Sequence, residues 1–149
     1  MEKEIVPADK AVYDKIRATL VAARRKVYSA VNQTMVEAYW DIGRQIMEAQ
    51  NNNARAEYGA GLIKYLAERL TAEFGKGFTI SNLKAMRQFY VTFPISHALR
   101  GQLSWSHYRL LMKIDDPSRR EFYLNECAEC NWSSRQLERK LIEMRLGDQ

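Results

Sequence analysis

The chain has 149 residues, enough for one domain with a real core and no need of staples. With 46% apolar and 28% charged residues it has a globular composition, which excludes a disordered chain. The formal charge is +5 and the pI about 9.3, a mild bias toward an acidic partner such as nucleic acid. The excess is local. Residues 54–93 carry six basic and three acidic groups, whereas the segments on either side are each only one positive charge from balance.

The start, MEKEIVPADK, is charged and has no apolar run behind it, so no secretory leader is expected. No segment has the length and apolarity of a membrane span. A cytoplasmic location with reduced thiols at Cys127 and Cys130 is the expectation.

Residues 9–49 carry one apolar stripe through Val12, Ile16, Leu20, Ala23, Val27, Val31, Met35, Ala38, Ile42 and Ile46. Steps of three and four are the helical period. Asp9 is the candidate cap and Gly43 the only breaker. A continuous helix here would be roughly 60 Å long. Either it breaks near 28–34 into a packed helix pair, or it projects and finds a partner, for which a homodimer is the expectation.

NNNARAEYGAG (51–61) reads as a polar connection, and LIKYLAERLTAEF (62–74) as a helix ended by Gly75 and Gly77. Thr79 can cap the next helix, which runs toward Pro94. At about 100° per residue, Leu83, Met86, Phe89, Tyr90 and Phe93 share one side. Ser81, Lys84, Ala85, Gln88 and Thr92 share the other, with Arg87 at the flank. Burial explains the aromatics. The opposite face has the make-up of a recognition helix, with small polar residues first and then a lysine and a glutamine. An ordinary solvated face has the same make-up, so the pattern leaves both readings open.

Residues 94–103 read as a loop. Ser104 caps a helix over 105–114, and DDP (115–117) stops it and starts another with Asp116 as cap and Pro117 at its first position. Ser133 and Gln136 have capping-box spacing for a last helix ending near Gly147. With no period-two strand, the fold class is all-α: a bundle of about six helices containing a helix–turn–helix, with a long N-terminal helix or helix pair.

Two stretches resemble a known family. YGAGLIKYLAERLTAEFGKGFTISNLKAMRQFYVTFP (58–94) and LSWSHYRLLMKIDDPSRREFYLNECAECNWSSRQLERKL (103–141) are similar to the N-terminal domain of YhcG-type proteins, and the likeness extends to VNQTMVEAYWDIGRQI (31–46). That helical domain usually precedes a nuclease domain of the PD-(D/E)xK superfamily, and the resemblance implies a part that targets such a nuclease to DNA. Residues 1–149 would then be a single helical domain, with 9–49 for dimerisation and 58–146 for the helix–turn–helix and the helices after it. A nuclease domain is not expected within these residues, and the chain itself is not expected to be an enzyme.

The runs SNLKAMR, LSWSHYRLL, IDDP and WSSRQLE also resemble, more distantly, the helix–turn–helix core of ParB-type partition proteins. His107, Arg109 and Arg135 match that family's pattern. The turn TAEFGKGF is longer than usual, and Lys84 stands where arginine is common, replacing a fork of donors by a point charge. On this likeness Thr79, Ser81, Asn82, Lys84 and Gln88 are expected to face the DNA groove. Arg87, Lys76 and Arg109 are expected to meet phosphates. The rival is an interaction module that does not bind DNA, and that dimerises or docks onto a nuclease partner.

Other candidates carry less. A magnesium nuclease needs carboxylates and a lysine at strand ends, whereas Glu138 and Lys140 lie on a helix. Asp115 and Asp116 read as a turn and a cap. Cys127 and Cys130 lack the further ligands of a zinc site, with only His97 and His107 in the chain, so inert thiols and no metal or cofactor are expected. His107 has no nucleophile or paired carboxylate beside it and reads as structural. Trp40, Trp105 and Trp132 read as anchors, and Arg24, Arg25 and Lys26 as a solvated basic run.

Overall fold

The computed structural model describes residues 7–52, 56–99 and 103–147. Among these are seven helices and no strand. They are α1 (Pro7–Asn52), α2 (Ala56–Phe74), α3 (Ile80–Thr92), α4 (Ile95–Leu99), α5 (Trp105–Leu111), α6 (Pro117–Glu129) and α7 (Ser134–Gly147).

The caps expected at Thr79, Ser104, Asp116 and Ser133 are found there, whereas Asp9, the candidate cap of the long helix, lies inside its first turn because α1 already begins at Pro7. Thr79 accepts a hydrogen bond from the Asn82 amide at 3.1 Å and opens α3. Ser104 opens α5, and Asp116 with Pro117 behind it opens α6. The Ser133–Gln136 box is made in both directions, at 2.8 and 3.2 Å. Gly75 and Gly77 both have positive φ (81° and 109°), so the turn between α2 and α3 uses two residues free of a Cβ penalty.

The bounds of three segments are also corrected: the helix expected over 105–114 ends at Leu111, with Met112 as its C-cap. The connection expected at 51–61 is shorter, because α1 runs on to Asn52 and α2 already begins at Ala56, so Gly59 and Gly61 lie inside a helix. Residues 53–55 lie outside the described residues. The loop expected at 94–103 contains the short helix α4, with 100–102 outside the described residues.

The long helix is continuous over 46 residues, with no break at 28–34. Its C-terminal half forms the spine of the domain and packs most extensively on α3. Val36 and Ile46 are buried, and the Trp40 indole N–H donates to the Phe93 carbonyl at 2.9 Å. Gly43 is the point of closest approach: a Cβ there would collide with the Met86 carbonyl oxygen and lie 2.7 Å from its carbonyl carbon. The N-terminal half of α1 leaves the domain as an arm. Along it Val12, Ile16, Leu20, Val27 and Val31 are each more than half exposed.

Two buried clusters meet along α3. Leu83 and Met86 join Ile46, Ile63 and Ala67 under α2. Phe89 and Phe93 join Tyr108, Leu111, Leu124, Leu137 and Leu141 under α5–α7. Phe89 lies at the centre of an aromatic group, with ring centroids 4.7 Å from Tyr108, 5.4 Å from Trp105 and 5.7 Å from Phe93. This packing fixes both the roll and the height of α3 and thereby decides which of its residues reach solvent.

Candidate nucleic-acid interface

The buried positions of α3 are Leu83, Met86 and Phe89. Their spacing leaves Ser81, Lys84 and Gln88 on the solvent side, and all three are exposed. Among the described residues neither Lys84 nor Gln88 has a hydrogen-bond or ion-pair partner. Their donors and acceptors are therefore available to a ligand. Ser81, Lys84, Ala85, Arg87, Gln88 and Val91, with Met47 of α1, border one open depression along this face.

Asn82 is placed differently from its neighbours. Its side-chain Nδ2 donates to the Gly77 carbonyl at 2.6 Å, and its Oδ1 accepts from the Trp105 indole at 3.3 Å and from Arg109 at 2.8 Å. Three elements, the 75–79 turn, α3 and α5, thus converge on one side chain. Arg109 reaches on to the Ser81 hydroxyl at 3.4 Å and remains exposed. It sits beside the first turn of α3, where the free N–H groups of a helix end and the dipole favour an anion. Arg109 and Lys113 border a second depression with Ser106, Ser134 and Glu138. The basic surface therefore extends from α3 across α5 to the start of α7.

Arg87 borders the same depression but is committed to α1. It donates to the Gln50 side chain at 3.1 Å, and Gln50 in turn donates to the Gly59 carbonyl at 3.4 Å. This chain links α3 to α1 and α2, and leaves Arg87 half-buried. Lys76 and Thr79 are exposed in the turn, with Thr79 engaged in capping. Of the eight residues expected at the interface, Ser81, Lys84, Gln88 and Arg109 form one connected surface, Lys76 and Thr79 lie at its edge, and Asn82 and Arg87 are held internally. Lys113 belongs to the surface and was absent from the sequence reading. Its distance along the chain from α3 left no local signal, and it lies in the turn just past the end of α5 at Leu111.

His107 has a structural setting. Its Nδ1 accepts from the Ser104 backbone N–H at 3.0 Å, which places the proton on Nε2, and Nε2 donates to the Trp132 carbonyl at 2.8 Å. Cys127 is buried, its thiol pushed up to about 11 by burial and then by the neighbouring Cys130, which is exposed. Among the described residues no group of three or more His, Cys, Asp or Glu could hold a metal ion. Lys140 pairs with Glu143 at 3.7 Å and lies over the Trp132 ring, so the Glu138–Lys140 spacing is part of the charged outer face of α7. No described helix is long and apolar enough to cross a membrane.

Fold and surface together define an all-α domain built on one long spine helix, with a short capped helix displaying a polar, basic-edged face. Residues 15–146 match the family described as DUF1016 N-terminal domain, and the chain belongs to that family. It is 32% identical to a protein of Escherichia coli (strain K12) whose name is "Putative nuclease YhcG". The match covers 87% of this chain and 44% of that relative, so the chain spans less than half the relative's length. No solved structure matches the chain.

Proposed function

We propose that the chain is a DNA-binding domain that directs a nuclease, with α2, the 75–79 turn and α3 acting as a helix–turn–helix. The observation that carries this reading is the exposed Ser81–Lys84–Gln88 face of α3, on which Lys84 and Gln88 have no partner among the described residues and Ser81 accepts from the exposed guanidinium of Arg109. In this reading Ser81, Lys84 and Gln88 enter the major groove, with Thr79 at its edge. Lys76, Arg109 and Lys113 meet phosphates. Asn82 holds the turn and Arg109 in register, and Arg87 braces α3 against α1. The nuclease association rests on family membership and on the name of the Escherichia coli relative. The chemistry of cleavage would belong to a separate domain or subunit.

The test is fluorescence anisotropy of the chain with random-sequence duplex DNA under a salt titration. Each neutralised phosphate contributes a slope of about −0.9 in log affinity against log salt. Lys76, Lys84, Arg109 and Lys113 together predict a slope of roughly −3 to −4. Absence of binding at low salt, with random duplexes and with genomic fragments alike, overturns the reading.

A further inference from the structure

The arm of α1 offers a surface that the DNA-facing reading does not use. Val12, Ile16, Leu20, Ala23, Val27 and Val31 step along it by four, four, three, four and four residues. This is an eleven-residue repeat, the period of a nearly straight helix seam. At about 100° per residue the seam lies on roughly the opposite side of α1 from Val36 and Gly43, which face α3. Arg17 and Arg24 flank it on one side, and Lys15 and Lys26 on the other. Tyr13, Ile16, Arg17, Leu20 and Arg24 line a single shallow concavity, so apolar seam and basic flank form one surface.

We propose that this arm docks an amphipathic helix of a partner protein whose apolar seam is flanked by glutamate or aspartate. Three features select that occupant. The first is area: the five exposed aliphatic residues with Tyr13, at roughly 100 Å² each, present on the order of 600 Å² of apolar surface, approaching the ~800 Å² per partner of a specific interface. The second is charge. Residues 7–35 hold six basic and two acidic groups, and the flanks of the seam are basic on both sides. A second copy of the chain would set these like charges against each other, whereas acidic flanks complement them. The third is width. The seam is narrow, with Ala23 within it and Thr19 and Ala30 beside it as holes for a partner's side chains, and the stretch contains neither Trp nor Phe. A helix that lies in a membrane interface needs a broad apolar face and uses those residues. DNA would satisfy the charges and leave the seam wet. The inference is independent of DNA binding, since the two surfaces face different ways.

The experiment uses the full chain and two labelled probe peptides of about eight helical turns. Both carry leucines at the four-four-three spacing, one with glutamate flanks and one with lysine flanks. The glutamate peptide is expected to bind one-to-one and to weaken with salt, and the lysine peptide to bind at least about tenfold more weakly. Leu20→Asp with Val27→Asp is expected to lose at least about tenfold in affinity for the glutamate peptide, with the melting temperature of the domain unchanged. Arg17→Glu with Arg24→Glu is expected to shift the preference toward the lysine peptide. Failure of both peptides to bind overturns the proposal, and so does a charge-reversed variant that keeps the original preference. A dimer mass by light scattering that disappears in the Leu20→Asp, Val27→Asp variant assigns the arm to self-association and overturns it too. Stronger binding to phosphatidylserine vesicles than to the glutamate peptide does the same.

Discussion

Replacing Gly43 by alanine separates two opposing effects that can each be sized. In an exposed helix interior the change gains about 1 kcal/mol of helix propensity. At Gly43 the new Cβ would meet the Met86 carbonyl oxygen, with the carbonyl carbon at 2.7 Å and the Tyr90 Cβ at 3.1 Å. The obstacle is backbone in the middle of α3 and cannot swing aside as a side chain end can. Overpacking of a tight contact costs about 1–3 kcal/mol, and a backbone clash belongs at the upper end. The net expectation is a loss of about 1–2 kcal/mol. For a chain of 149 residues this lowers Tm by roughly 3–6 °C. Gly61→Ala is the matched control: it is also within a helix, but nothing lies within 4 Å of its Cβ position, so it should raise Tm by up to about 3 °C. Thermal melts followed by circular dichroism read both. A Gly43→Ala protein as stable as the parent, or more so, would refute the close approach of α1 to α3 on which the roll of the polar face of α3 depends.

Three further outcomes follow from the same contacts. Asn82→Ala removes the acceptor of Trp105 and Arg109 and the donor to Gly77, and should cost about 2–3 kcal/mol by urea denaturation. Lys84→Ala touches no internal partner among the described residues, so it should leave Tm unchanged while reducing the magnitude of the salt slope of DNA binding by about one. For the thiols, Cys130 should react with a thiol reagent at pH 8 in the native protein, and Cys127 only on unfolding. The Cys127 thiol is raised in the folded state from an ordinary value of 9.0 to about 11. Its contribution to stability is therefore complete below pH 9 and falls away as pH rises toward 11. A melt series across that window checks the sign.

Much of the fold is local chemistry and could be read along the chain. Thr79, Ser104, Asp116 and Ser133 each satisfy the free amides of a helix start within three residues, so their roles follow from spacing alone. The stripe on α1 was legible as a period but not as an environment. Periodicity states that Leu20 and Ile46 lie on related faces, whereas only tertiary packing decides that Ile46 is buried and Leu20 exposed. The start of α2 was misplaced because polar and glycine residues at 51–61 resemble a loop, yet Gly59 lies close to the Gln50 side chain and tolerates the helix. The candidate interface was half legible. The wheel separated Lys84 and Gln88 from Leu83 and Met86. It could not show that Asn82 is claimed by Arg109, 27 residues away, or Arg87 by Gln50, 37 residues away.

The central claim is that the polar face of α3 and the adjoining basic edge of α5 touch DNA. The most direct measurement is amide chemical-shift mapping of the isotopically labelled chain as a duplex is added at low salt. The account predicts perturbations concentrated at Lys76, Thr79–Gln88 and Arg109–Lys113, with the 7–35 arm unchanged. Perturbations confined to the arm, or none with excess duplex, would contradict it.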